Sequence, residues 1–288
     1  MGPVIALDVG GTHSRAALFE QGRITWRASQ PTPGQMGPQA MVDTLVALLQ
    51  PLHPLQVPVG VAVAGQVLPG GAVTAHNADI LRDWSAFPLA ERLQQRLGRE
   101  VQVFNDARAA AWAEYRFGAG QGCSEFLFVT VSTGVGAGLV LGGRLHLAGN
   151  GMDAELGETL APDGQTLEAH ASGTGLGAIA RQHGWADAKA LCDAADAGDV
   201  RAEQLLRHGI RLLAHKLADL SVMLGIQRTA LGGGLGLRPG YLPRLRQEFH
   251  RLPALYQHEI IPATLGADAG LYGAAALAWQ QPHGPHSN

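Results

Sequence analysis

Two stretches of the chain repeat one another. VIALDVGGTHSRAALFEQGRIT begins at Val4, and EFLFVTVSTGVGAGLVLGGRLHLAG begins at Glu125. In each, an apolar strand pattern runs into a turn of glycine and hydroxyl residues. A second apolar strand follows, then Gly-Arg and a third strand. Hairpins can resemble one another by chance, but shared turn chemistry makes chance a weaker explanation. The period is far too long for a solenoid. It predicts a duplicated α/β domain with a cleft between its halves.

The intervening segments fit that plan. PQAMVDTLVALLQPL has helical spacing and stops near Pro54, and VPVGVAVAG reads as a buried strand. FPLAERLQQRLG is a helix with proline near its start and glycine at its end. VQVFND is a short strand, and DARAAAWAEYRFGAG is an alanine-rich helix closed by glycine. After the second copy the pattern is mostly helical, with RAEQLLRHGIRLLAHKLADLSVMLG the longest run. RTALGGGLG is a strand entering a glycine turn, HEIIPATLG a strand and loop, and AGLYGAAALAWQ a last helix. With no long Pro/Ser linker in sight, the boundary is set after Asn105. The expected lobes are 1–105, joined by the helix at about 270–280, and 106–269, with a flexible tail at 281–288.

Composition narrows the function classes. A chain of 288 residues that is 46% apolar can bury one large core or two ordinary ones. A net charge of −3 with no basic cluster argues against nucleic acid or anionic membrane as partner. No apolar run approaches the roughly 20 residues that span a bilayer. MGPVIALDVGG has no basic segment before its apolar run, unlike a signal peptide, and MGPVIA lacks the hydroxyl residue of a myristoylation signal. Cys123 and Cys192 are too few for a disulfide framework or a four-thiolate zinc site and suit a reducing cytoplasm.

The glycine turns carry the candidate chemistry. DVGGTHSR joins two strands and is not a Walker loop. Gly10 and Gly11 let backbone N–H groups face an anion, Thr12 adds a hydroxyl, and Asp8 could hold a hydrated Mg²⁺; an ordinary hairpin turn is the plainer alternative. STGVGAG repeats the arrangement with Thr133 and Gly134, so two hairpins could grip one polyphosphate. GGGLG, with Gly233 and Gly234, is a charge-free turn able to receive an adenosine. GTGLGA matches a loose dinucleotide pattern, but no strand precedes it. VFNDARAAA sets Asn105 and Asp106 at a strand end. Asp106 is either a helix N-cap or the base that accepts a substrate hydroxyl proton during phosphoryl transfer. DAELGETLAPDGQTLEAHASG, with Glu155, Glu158 and Glu168, is either an acidic loop or the wall of a polar-ligand pocket. There is no GxSxG or HExxH motif, and the twelve histidines show no metal-ligand spacing.

Taken in order, these motifs resemble the ROK family of sugar kinases (repressors, open reading frames and kinases) within the actin-like ATPase superfamily. ALDVGGTHSRAALF and VTVSTGVGAGLVLGGRL are similar to the two phosphate motifs, FNDARAAAWAE to the Asn-Asp segment, and LGGGLG and ADAGLYGAAALA to the adenosine turn and terminal helix. The resemblance implies two ribonuclease-H-like lobes, ATP with Mg²⁺, a homodimer, and phosphorylation of a hexose 6-hydroxyl. N-acetylmannosamine is the expected sugar, with glucose or N-acetylglucosamine as alternatives, and a non-catalytic sugar-sensing regulator further off. It makes Asp106 the base and Asn105 a sugar ligand. Asp8 positions the metal, Gly10, Gly11, Thr12, Thr133 and Gly134 line the phosphates, and Gly65 and Asn77 flank the sugar. Glu155 and Glu168 match sugar-facing carboxylates of the family. Glu158 stands where the family has a zinc-binding histidine, and TLAPDGQT replaces its cysteine knuckle. No zinc is therefore expected. Glu158 is left as either a sugar contact or a solvated carboxylate.

Overall fold

Six consecutive buried residues make Val4–Val9 (β1) a strand covered on both faces. The computed structural model describes residues 2–75 and 81–280. Strand β1 turns back into His13–Glu20 (β2). Gln21 and Gly22, both at positive φ (52° and 80°), then fold the chain tightly into Arg23–Pro31 (β3). Helix Gly37–Leu48 (α1) buries Met41, Val42, Leu45 and Leu48 at helical spacing. Next come Val59–Val63 (β4) and a small hairpin of Gln66–Val67 (β5) and Val73–Thr74 (β6). Leu89–Leu97 (α2) ends at Gly98 in the left-handed region, as helix ends favour. Val101–Asn105 (β7) leads directly into Asp106–Phe117 (α3). The first sheet runs β3-β2-β1-β4-β7.

The second repeat builds the same sheet. Phe126–Val131 (β8), Val135–Leu141 (β9) and Arg144–Leu145 (β10) form the antiparallel part. Four helices follow: Leu167–Ala171 (α4), Gly173–Gln182 (α5), Ala188–Asp196 (α6) and Val200–Leu224 (α7). Arg228–Gly232 (β11), Tyr241–His250 (α8) and Glu259–Pro262 (β12) complete it, in the order β10-β9-β8-β11-β12. In both sheets a hairpin strand pairs in parallel with a crossover strand, β1 with β4 and β8 with β11. The expected duplicated α/β class is what the chain adopts.

The final helix, Ala269–Trp279 (α9), covers β1 and β4. It lies so close that a Cβ on Gly60 of β4 would overlap the Ala274 carbonyl, so glycine is what permits the contact.

The chain divides into two compact units. The first holds the described residues up to Ala113, Leu147–Met152, and the described residues from Ala267 onward; the second holds Glu114–His146 and Asp153–Gly266. The division falls inside α3 rather than at residue 105, because the first turns of α3 bury Ala107, Ala109 and Ala110 in the first unit. Leu147–Met152 also sits apart from its chain neighbours, held by Arg108 Nη2 on the Gly151 carbonyl (2.9 Å) and Gln66 Nε2 on that of Asn150 (3.3 Å). Residues 281–288 lie outside the described residues.

Glu114, fully buried, opens the second unit. Its carboxylate accepts hydrogen bonds from the N–H groups of Thr264 (2.8 Å), Leu265 (2.7 Å) and Ala119 (2.9 Å) and from the Thr264 hydroxyl (3.0 Å). A buried carboxylate tolerates its lost hydration only with such a set of donors. Glu114→Ala strands the buried Ala119 N–H at about 1–3 kcal/mol and leaves the part-buried Thr264 and Leu265 N–H groups without their acceptor at a smaller cost. The expected outcome is a thermal midpoint lowered by several degrees in a calorimetric scan; an unchanged midpoint would show that water replaces the carboxylate there.

Candidate active site

In the first unit the candidate residues follow the carboxyl ends of neighbouring parallel strands, where ligands of open α/β sheets bind. Asp8 pairs with Ala62 between β1 and β4, and Val63 pairs with Asn105 between β4 and β7. The turn Gly10–Thr12 is closed internally. Gly10 N–H donates to the His13 carbonyl (3.1 Å), and β3 returns to it through Thr32, whose hydroxyl reaches the Gly10 carbonyl (2.7 Å). Gly10 thus shapes the turn, while Gly11 and Thr12 are exposed at its tip.

Asn105 spends its side chain on scaffolding. Its Nδ2 donates to the Gly65 carbonyl (3.0 Å), and its Oδ1 accepts the Arg108 N–H (3.1 Å) as an N-cap of α3. Gly65 has a φ of 110°, and a Cβ there would stand 2.7 Å from the Thr74 carbonyl oxygen. Only glycine fits that position. Asp106 Oδ1 accepts the Ala107 N–H at 2.8 Å. Asn77 lies outside the described residues.

Asp8 is buried, and its main partner is one the sequence reading missed. Arg15, opposite Asp8 in the hairpin register, donates to Asp8 Oδ2 through Nη2, which also reaches the Ala267 carbonyl (2.6 Å). Counting outward from the turn pairs residues 8 and 15, so the signal was present. Burial pushes the Asp8 carboxyl up to about 6 from 3.8; Arg15 opposes this, and the charges of Asp106 and Asp268 add to it. One buried carboxylate beside a backbone turn suits Mg²⁺, which keeps most of its water and takes only one or two protein carboxylates. Asp8 therefore fits the metal role, and the charge of Asp106 acts on it.

The second unit carries the matching turn, Ser132–Gly134. Thr133 is exposed and Gly134 half-buried. The acidic segment cups this turn. Glu168 Oε2 accepts the Val135 N–H (2.8 Å), and a Cβ on Gly134 would stand 2.5 Å from the same oxygen. At the start of α5, Gly173 N–H donates to the Ser132 carbonyl (2.7 Å) and Thr174 N–H to that of Thr133 (3.1 Å). The loose GTGLGA motif thus serves to clamp the turn and begin a helix. Glu155 is half-buried; Glu158, in a short 3₁₀ turn, is exposed. Gly233, at φ 84°, packs on the Val131 carbonyl, and Gly234 is exposed.

The tip of the acidic segment is held by hydrogen bonds. Ala161 N–H donates to the Gln165 carbonyl (2.7 Å), Leu160 bridges to Thr166, and His170 Nε2 lies 3.0 Å from Asp163 Oδ2. Among the described residues no group of three or more His, Cys, Asp or Glu is placed to hold a metal.

Two sheets of one strand order, each opening on a glycine–hydroxyl hairpin, define the actin-like ATPase fold class. Within it the chain belongs to the ROK family, whose model matches residues 4–281. It is similar to the N-acetylmannosamine kinase of Shigella flexneri, 37% identical over 286 residues that take in 96% of this chain and 98% of that protein. It is also 37% identical over 280 residues to the bifunctional enzyme NanE/NanK of Brucella melitensis; the match takes in 96% of this chain but only 54% of that longer protein. Among solved structures, a ROK family glucokinase from Streptomyces griseus in complex with glucose and AMPPNP is 32% identical, with a TM-score of 0.80 over 96% of this chain and 99% of that one.

The raised Asp8 value has a direction. A carboxyl whose folded pKa exceeds its unfolded one contributes stability that is complete below about pH 3.8 and lost as pH rises through about 6. An NMR titration of the Asp8 carboxyl carbon is expected to show a midpoint near 6, moving higher in Arg15→Gln. A midpoint near 4 would contradict burial as the dominant influence.

Proposed function

We propose that this chain is an ATP-dependent hexosamine kinase that phosphorylates the 6-hydroxyl of N-acetylmannosamine. One observation carries the reading: Asp106 stands at a strand's carboxyl end, within electrostatic reach of Asp8, in a chain similar to N-acetylmannosamine kinases over nearly its full length. Asp106 accepts the hydroxyl proton as the sugar oxygen attacks the terminal phosphorus of ATP. The new P–O bond forms as the bond to ADP breaks. Asp8, Gly11 and Thr12 on one turn and Thr133 and Gly134 on the other hold the phosphates, with Gly10 shaping the first turn. Asp8 would hold Mg²⁺, which would supply neutralisation of the phosphate charge. Gly233 and Gly234 face the adenosine. Gly65, Asn105, Glu155 and Glu168 line the sugar, and Glu158, exposed on its 3₁₀ turn, is either a further contact or a solvated carboxylate. Most of the rate comes from positioning and charge stabilisation, since phosphoryl transfer demands little else of the protein.

The second reading, glucokinase or N-acetylglucosamine kinase, is favoured by the likeness to the Streptomyces griseus glucokinase. An ADP-release assay across a panel of hexoses separates the two by kcat/KM. A flat, inactive panel would point to a sugar-sensing regulator. Asp106→Asn is expected to lower kcat by about 10²–10⁴-fold; a variant retaining most of the rate would remove Asp106 from the base role.

We further propose that the enzyme is cytoplasmic, works as a homodimer and needs no zinc. Support for the dimer comes from Leu160, 63% exposed, which lines a surface cavity with Leu212, Leu252 and Tyr256, and from Leu255, 77% exposed. Support for the absence of zinc comes from the cysteine-free segment 153–173. Metal analysis of purified protein is expected to find no stoichiometric zinc, and one zinc per chain would refute it.

A further inference from the structure

Glu168 has two carboxylate oxygens, and Oε2 is committed to the backbone of a neighbouring turn. Oε2 faces the second phosphate turn, where it takes the Val135 N–H at 2.8 Å and leaves no room for a side chain on Gly134. The same segment grips that turn elsewhere. Gly157 packs on the Val135 carbonyl, and the N–H groups of Gly173 and Thr174 bond the Ser132 and Thr133 carbonyls. Glu168 itself sits in the first turn of α4, which Thr166 caps by accepting the Ala169 N–H at 3.2 Å. The carboxylate is thus held by the turn and carried on a capped helix, and the residue is half-buried rather than free in solvent.

We propose that Glu168 is a positioning residue that couples the two substrates: a sugar hydroxyl bonded to Oε1 fixes the carboxylate whose Oε2 orders the Thr133–Gly134 turn for the nucleotide phosphates. The inference rests on the kinase reading above and adds a thermodynamic property to it. Coupling of this kind is reciprocal, so each substrate must tighten the other by the same factor. The charge on Glu168 is what makes the link effective, because a carboxylate holds both an N–H and a hydroxyl more firmly than a neutral amide does.

The test is calorimetric titration of the full chain with a non-hydrolysable ATP analogue and Mg²⁺, with and without saturating N-acetylmannosamine. The wild type is expected to bind the analogue roughly fivefold or more tightly when sugar is present. Glu168→Gln keeps the shape and loses the charge. Glu168→Asp keeps the charge but is one methylene too short to serve both neighbours. In each the sugar-dependent enhancement is expected to fall to near one, whatever happens to the affinity of either ligand alone. A folded variant that keeps the full enhancement overturns the proposal. So does a wild type whose nucleotide affinity ignores the sugar, which needs no variant at all. Should wild type neither bind nor turn over N-acetylmannosamine, the substrate assignment fails instead, and the coupling is read with whichever hexose of the panel does turn over.

Discussion

The parallel pairing of β1 with β4, continuous from Ile5–Val59 to Val9–Val63, is the constraint from which the first half-site follows. It ends a hairpin strand and a crossover strand side by side. With β7 added in register, the residues just past the strands are forced to one edge of the sheet: the Gly10–Thr12 turn, Gly65 and Asp106. Each has a local reason to be there. Gly65 needs its positive φ, Asn105 caps α3 while pinning Gly65, and Asp106 begins a helix. The second sheet repeats the order, so β8 and β11 carry the Ser132–Gly134 and Gly233–Gly234 turns in the same way.

Charge then distinguishes the two turns. The first is built around a buried acid. Asp8 depends on Arg15, and Arg15 lies in a chain of alternating charges in which Asp268 takes Arg27 through two hydrogen bonds (2.9 and 2.8 Å). The second turn has no acid of its own. It borrows one from α4, since Glu168 reaches back to the Val135 N–H. One turn is held by an ion pair across a hairpin, the other by a carboxylate brought from far along the chain.

This contrast explains what the sequence could and could not tell. Strands, turns and the repeat itself were legible because they rest on local periodicity and on glycine placement. The Asp8–Arg15 pair was equally local and could have been found by counting across the hairpin. The bond from Glu168 to Val135 could not, because nothing in the spacing of residues 135 and 168 marks them as neighbours. The same holds for the Glu114 knot, where a helix residue collects N–H groups from Thr264 and Leu265. The family resemblance makes Glu168 a sugar-facing carboxylate, and its structural duty on the turn emerges only in three dimensions. The division inside α3 was likewise hidden, since an alanine-rich helix gives no sign of which core each turn joins.

The acidic segment closes on itself through the Ala161–Gln165 backbone bond and the Asp163–His170 pair, in a stretch that contains no cysteine. Oxidants therefore find no thiol to attack at this wall. Nor can a disulfide start from it, so thiol chemistry in this chain is confined to Cys123 and Cys192, both outside the segment.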